Sequence, residues 1–597
     1  MNARHLAPLL ALILTGTAGT AFAADAAPKR CGIETMVIPV RLVESRPVAT
    51  LKLNGVPVPL LVDSGAFYSF LSEASARQLE LKLRPQTNLR VYGVTGQVQN
   101  LKVTTVKSVE LEGAVLPNVE FLVGGNEINA GIMGVLGRNF LSLADTEYDL
   151  AHGEVRLVFP KGDCEKTVMA YWAGEAPVIE APLISYAQND RAVRVPVLVN
   201  GEKVTALMDT GAPTTSLAIS AARKAGITES QMTLVGRTGG AGASFARRWT
   251  TTVERFEIGG EKVSNNRMDV TDTDGGDYGM LLGLDYFLSH RVYVSRLQGK
   301  VYATWNGGAV FAKGRQPAGG ADPRYAAKPE EIAADDADGL ARRGNAALVN
   351  GEPARALEDL DRAVQLKPTA ANYEARSRVK LALKKPKEAL ADLDEALRLD
   401  PALSEARLRR VPLRMASGDR DGAGADLAEL DATLPPGSNL RSQLGQLHAR
   451  RNEGPQAIKQ FDLWIQTHQR DARLGQVLGE RCWLRARMNL EPAKAVDDCK
   501  DAVDEDGDDP LLRYFLGWAR LRQGDASAAR KAFDKSIELK PQLAWALYGR
   551  GLAQTKLGEA EKGRQDLEAA RKLLPAIDEQ VKRAGFAALV EGGAAAP

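Results

Sequence analysis

The chain is short of the residues from which many catalytic centres are built. It has 5 His and 4 Cys among 597 residues, with no His-Glu-x-x-His and no Cys-x-x-Cys, so it offers little for a zinc site or a histidine-based triad. Neither sign of charge is in excess. Lys+Arg 77 against Asp+Glu 75 leave a formal +2, and the electrostatic footprint of a nucleic-acid or anionic-membrane binder is missing. Long apolar runs are scarce as well: the stretch Leu9 to Leu14 breaks at Thr15-Gly16, well short of the roughly 20 residues that a spanning helix needs. What remains is an ordinary globular composition, 44% hydrophobic and 25% charged, long enough for roughly three or four domains. No metal and no cofactor is expected, no nucleic acid and no membrane span; the chemistry is expected to run on carboxylates.

Arg4 ahead of the apolar stretch, followed by Ala21-Phe22-Ala23, has the form of a cleaved signal peptide over residues 1–23. The mature chain is expected to begin near Ala24 and to be periplasmic or secreted, because Pro28-Lys29-Arg30 before Cys31 is not a lipoprotein box. That compartment permits disulfides. Two cysteines bracket the first half (Cys31, Cys164) and two lie close together late in the chain (Cys482, Cys499), so pairing within each set is the economical arrangement. Four buried free thiols are the alternative.

An internal repeat runs through the first half at a constant offset of 146 residues. Asn54-Gly55 falls on Asn200-Gly201, Asp63-Ser64-Gly65-Ala66 on Asp209-Thr210-Gly211-Ala212, Gly93 and Gly96 on Gly239 and Gly242, and Val135-Leu136-Gly137 on Leu281-Leu282-Gly283. Short β-branched runs joined by Asn-Gly pairs predict hairpins and a mainly β copy in each case. Arg247-Arg248-Trp249 is expected at a strand edge, and His152 and His290 in structural rather than catalytic roles. The Asp-rich segment 272–277 is expected to be a turn, since its Gly is misplaced for a calcium loop.

Two Asp-Ser/Thr-Gly-Ala motifs, each followed by an apolar-apolar-Gly strand, resemble the retropepsin and pepsin-like aspartic proteases over roughly residues 40–310. Arg138-Asn139 after Gly137 and the Ala after each motif Gly look like the retroviral type; the second copy departs, with Leu284-Asp285 after Gly283. The resemblance implies a bilobal all-β fold in which Asp63 and Asp209 form one catalytic pair, one from each lobe. It further implies that Ser64 and Thr210 lock the two loops by hydroxyl hydrogen bonds, that Gly65 and Gly211 admit the tight backbone, and that Tyr92, Gly93 and Gly239 belong to hairpins covering the substrate. Two facing carboxylates share one proton, so one can deprotonate water while the other protonates the carbonyl, the behaviour worked out for the pepsin dyad. Neither role is assignable to one residue, because the pair titrates as a unit. Pairing of a lobe with a second chain is disfavoured, as both copies lie in one chain.

Beyond residue 336 the composition turns to Ala, Leu, Arg and Asp at helical spacing. Small residues and a closing Pro recur at intervals of 12, 7 and 5, as in Gly344, Ala356, Ala363, Pro368 and Gly517, Ala529, Ser536, Pro541. This resembles tetratricopeptide repeats, implying six or seven helix pairs in a solenoid that docks substrate or a partner protein. Cys482 and Cys499 fall on the two helices of the fifth pair, and the Arg and Glu residues are read as a solvated face laced with i,i+4 pairs. The expected organisation is 1–23 signal peptide, 24–170 and 171–312 protease-like lobes, 313–336 linker, 337–580 repeats and 581–597 tail. The expected function is an aspartic endopeptidase; the alternative is a catalytically silent peptide-binding scaffold of the cell envelope.

Overall fold

The computed structural model describes residues 31–591 apart from 87–88, 99–100, 126–130, 187–189, 241, 243–244, 274–275, 312–322 and 327–331. The expected signal peptide therefore lies outside the described residues, as do most of the expected linker and part of the 272–277 turn. The chain divides into two units, the first ending at Ala406 and the second starting at Arg407.

In the first unit, each Asn-Gly pair makes the turn that its sequence dictates. Asn54 and Gly55 (φ 51° and 82°) join the strands Arg46–Leu53 and Val56–Val62, and Asn200 and Gly201 (φ 49° and 88°) join Arg194–Val199 and Glu202–Met208. Two consecutive left-handed residues match the twist of a two-residue hairpin. The second strand of each hairpin then runs parallel to the apolar-apolar-Gly segment, with Leu60 opposite Gly134 in one copy and Ala206 opposite Met280 in the other. Both partners obey the same 146-residue offset, so the two copies have one topology. Their sheets contain eight and seven strands.

A third sheet of six strands takes three from each copy. At its centre Asp145–Asp149 pairs antiparallel with His290–Ser295 in the register Thr146 to Val294, Glu147 to Tyr293 and Tyr148 to Val292. That register maps onto itself under the repeat, which makes the sheet the pseudo-two-fold junction of two lobes. The Cys31–Cys164 disulfide, with Cα atoms 4.7 Å apart, closes its outer strand pair, Gly32–Pro39 with Glu154–Lys161. Burial of Val, Leu and Ile from both lobes gives one continuous apolar core.

The strand Phe245–Ile258, which carries Arg247-Arg248-Trp249, is not at an edge: it is paired with Thr233–Gly239 on one side and Glu261–Thr271 on the other. Its alternating polar side chains face solvent from inside the sheet, which the sequence pattern alone does not separate from an edge.

The helices Ala337–Val349, Pro353–Leu366, Ala370–Ala382 and Pro386–Leu399 complete the first unit, and Arg342 joins its first helix to the lobe through Glu154 (3.0 Å). In the second unit the helical hairpins continue through Ala544–Lys556 and Ala560–Leu573, followed by the short helices Ile577–Val581 and Ala587–Glu591. Small residues sit where helices touch: a Cβ on Gly517 would lie 2.5 Å from Phe533. A disulfide joins Cys482 on Leu474–Met488 to Cys499 on Pro492–Glu505, with Cα atoms 5.4 Å apart.

The repeat arginines are more than a solvated face. Arg343 forks onto Asp359, Arg376 onto Asp392, Arg410 onto Asp426, Arg481 onto Asp498 and Arg550 onto Asp566, at 2.5–3.0 Å across each helix hairpin. The forks add to the i,i+4 reading, which exposed pairs such as Arg564–Glu568 follow: each forked aspartate is buried, and a planar guanidinium satisfies both of its oxygens. Among the described residues no helix is long and apolar enough to cross a membrane.

Candidate active site

Asp63 and Asp209 follow directly on the parallel strands of their lobes. The backbone N–H of Asp63 donates to Leu136 O (3.1 Å) and that of Asp209 to Leu282 O (2.9 Å), so the apolar-apolar-Gly strand fixes where each carboxylate emerges. The second and third N–H groups after each aspartate turn back onto it: Gly65 and Ala66 donate to Asp63 Oδ1 (2.8 Å each), Gly211 and Ala212 to Asp209 Oδ1 (2.9 and 3.2 Å).

Ser64 and Thr210 tie the two loops together. Ser64 Oγ donates to Met208 O (2.8 Å) and accepts from Thr210 N–H (3.0 Å), while Thr210 Oγ1 donates to Val62 O (2.7 Å) and accepts from Ser64 N–H (3.0 Å). Both hydroxyls are buried with their full complement of partners. The lock brings each motif glycine against the opposite carboxylate: a Cβ on Gly65 would lie 2.5 Å from Asp209 Cγ, and one on Gly211 2.4 Å from Asp63 Cγ. Glycine is required there by close approach, not by turn geometry.

The two carboxyls are thereby held close to one another across the paired glycines. Burial, and then the neighbouring Asp63 charge, hold Asp209 well above the ordinary aspartate range, against the opposing pull of the Gly211 and Ala212 N–H groups. A buried pair of this kind retains one proton where an isolated aspartate is ionised. It can accept a proton from water through one oxygen while donating one through another. Among the described residues no group of three His, Cys, Asp or Glu could hold a metal ion.

A second ring of contacts braces the loops. Asn139 Oδ1 accepts from Ser69 N–H and Oγ–H (2.7 Å each), and Ser69 Oγ receives Gly137 N–H (2.9 Å). In the other lobe Asp285 Oδ1 accepts from Thr215 N–H (2.8 Å) and Oγ1–H (2.6 Å), and Thr215 Oγ1 receives Gly283 N–H (3.0 Å). At Asp285 the second copy keeps the geometry of the first, a carboxylate oxygen taking the place of an amide oxygen, whereas Leu284 has no counterpart to the Arg138 guanidinium.

Tyr92 and Gly93 pair with Gln97 and Gly96 in a two-stranded hairpin, and Tyr92 is exposed. Gly239 ends the strand Thr233–Gly239. The segments beyond these two hairpin strands meet, with Gly240 N–H donating to Thr95 Oγ1 (3.1 Å) and the Thr95 hydroxyl to Gly242 O (3.4 Å). His290 is buried against Glu261 (3.0 Å) and stacked on Tyr286, and His152 bonds Asp149 (2.7 Å).

Two cations stand near the carboxylates, Arg138 from the apolar-apolar-Gly motif and Arg46 from outside it. Arg46 Nη1–H donates to Gly211 O, and Arg138 Nε–H to Ala66 O (3.3 Å). Arg46 lies outside the motifs, at a position where the repeat has Ala192; only that broken match could have drawn attention to it.

Comparison with known proteins places these domains. The gag-polyprotein aspartyl protease family matches residues 49–143, the family described as aspartyl protease matches 195–286, and the tetratricopeptide repeat matches 512–543. Protein FlbA of Caulobacter vibrioides is 33% identical over 144 residues, 24% of this chain and 23% of that protein, so the chain spans about a quarter of this curated relative. Solved structures similar to the chain include a tetratricopeptide repeat protein from Parabacteroides merdae (17% identity, 42% of this chain and 98% of that one, TM-score 0.33). The C-terminal part of a repeat protein from Cytophaga hutchinsonii is another (17% identity, 43% and 99%, TM-score 0.31). The chain therefore carries two retropepsin-like domains in an all-β region, followed by tetratricopeptide-type helical repeats.

Proposed function

We propose that the protein is an aspartic endopeptidase whose lobes, within 24–170 and 171–312, supply Asp63 and Asp209 to one site. The observation that carries this reading is the reciprocal Ser64–Thr210 lock, which sets each carboxylate against the other lobe's glycine. In the mechanism, a water between the carboxylates loses a proton to the ionised member as it attacks the peptide carbonyl. The protonated member gives its proton to the carbonyl oxygen, and the pair then returns a proton to the leaving amine. Tyr92, Gly93 and Gly239 are assigned to hairpins that cover the bound peptide, and the helical repeats to docking substrate or a partner protein. Export to an oxidising compartment is supported by the two disulfides. The test is cleavage of an unfolded protein and a peptide library between pH 3 and 8 by the full chain. Cleavage that both Asp63→Asn and Asp209→Asn abolish supports the reading; cleavage that survives either overturns it.

A further inference from the structure

The site obeys its two-fold repeat in the lock, the glycines and the bracing ring, and breaks it in its cations. Arg46 corresponds to Ala192 and Arg138 to Leu284, so both guanidinium groups come from the first lobe. Arg46 opens the strand Arg46–Leu53 immediately after Glu44 and Ser45, at φ 46° and 62°. With that geometry they form the two-residue turn joining Arg41–Val43 to Arg46–Leu53, as the Asn-Gly pairs do in the other hairpins. The turn places Arg46 Nη1–H on the carbonyl of Gly211, the residue packed against Asp63.

We propose that Arg46 is a positioning residue of the two-carboxylate site: it holds the Gly211 loop and, as a fixed cation, sets the pH at which the pair gives up its shared proton. This inference rests on the hydrolytic reading above. Burial lowers the affinity of Arg46 for its proton, and the charges of Asp209 and then Asp63 oppose that effect, so the guanidinium remains a cation facing both. The other ionisable groups around the pair act differently. Arg138 feels Asp63 but is also offset by Asp190 and repelled by Arg194 and Arg296. Burial pushes the Tyr278 phenol near Asp209 up to about 12, and burial also raises the Tyr148 phenol near Asp63, so both stay neutral. Arg46 is therefore the cation whose influence falls most directly on the pair. A fixed positive charge favours the doubly ionised pair over the singly protonated one, so the proton leaves at lower pH than it would without Arg46. The singly protonated pair is the hydrolytic form, and Arg46 thereby draws the alkaline limit of activity downward.

The experiment is the pH profile of kcat/KM for the full chain beside Arg46→Gln and Arg46→Met, which remove the charge, and Arg46→Lys, which retains it. The alkaline limb should rise by about one pH unit in the Gln and Met variants and stay at its parental position in the Lys variant. Unshifted limbs in folded, active Gln and Met variants would overturn the proposal and leave Arg46 as a loop brace. Infrared titration of chains with 13C-labelled aspartate carboxyls, referenced to Asp209→Asn, reads the shared proton without turnover. Absence of cleavage by the parent would count against the hydrolytic reading alone. The proposal would then stand or fall on whether the protonated-carboxyl band of the charge-free variants persists about one pH unit higher than in the parent.

Discussion

The hydroxyls of Ser64 and Thr210 each receive the other's backbone N–H at 3.0 Å, and each donates across to the strand that carries the other lobe's aspartate. Four hydrogen bonds thus close between two loops that are 146 residues apart, and the distance between the catalytic candidates is set by buried groups rather than by their own side chains.

Removing one hydroxyl orphans both a buried N–H and a buried carbonyl. Ser64→Ala and Thr210→Ala should each destabilise the chain by on the order of 2–3 kcal/mol. Because the two residues form one network, the double variant should cost clearly less than the sum of the two. Denaturant melts of the three variants measure this directly; additive losses would show that the hydroxyls act independently.

Asp209 supplies a test with a definite sign. Its proton affinity is raised in the folded chain by burial and by Asp63, whereas in the unfolded chain it titrates near about 3.9. Between those limits the folded state holds a proton that the unfolded state has shed, so this group lowers stability as pH rises through the interval. Asp209→Asn removes that penalty. Its gain in melting temperature over the parent should be small near pH 4 and grow toward pH 7; a gain that ignores pH would contradict the shared-proton account.

In the helical repeats the Arg376–Asp392 fork spans one hairpin, with Asp392 buried. Asp392 also pairs with Lys380 (2.8 Å), so Asp392→Ala strips a buried carboxylate from two cations, of which Arg376 keeps Asp361 (3.0 Å), and should cost roughly 3 kcal/mol. Truncating Glu561 in the exposed pair Arg564–Glu561 should leave the melting temperature unchanged. Thermal melts of the two variants separate a clamp from surface decoration.

The bilobal architecture was legible because the repeat is exact in spacing: Asn-Gly turns, motif aspartates and apolar-apolar-Gly strands all recur at one offset, and hairpin chemistry fixes what lies between them. The carboxylate pair and its lock are legible only through the family resemblance that the two motifs carry. Residue identity hides the match at Asp285, where an aspartate oxygen accepts from Thr215 as an asparagine oxygen accepts from Ser69. Arg46 was invisible, since a hydrogen bond to Gly211 O across 165 residues leaves no periodic trace. The Arg–Asp forks do leave one, a separation of 16 residues in four of them and 17 in Arg481–Asp498, but helical period arguments look only three or four residues away.

The central claim is that Asp63 and Asp209 work as one unit on one water. Its most direct test is kcat/KM of Asp63→Asn, Asp209→Asn and the double variant on a single cleaved peptide, with folding verified by melting. Groups that act together are strongly non-additive: each single variant should lose at least about 1,000-fold, and the double variant should lose no more than either. A double variant whose loss is the product of the two single losses, or a single variant that still turns over at a rate near the parent's, would contradict it.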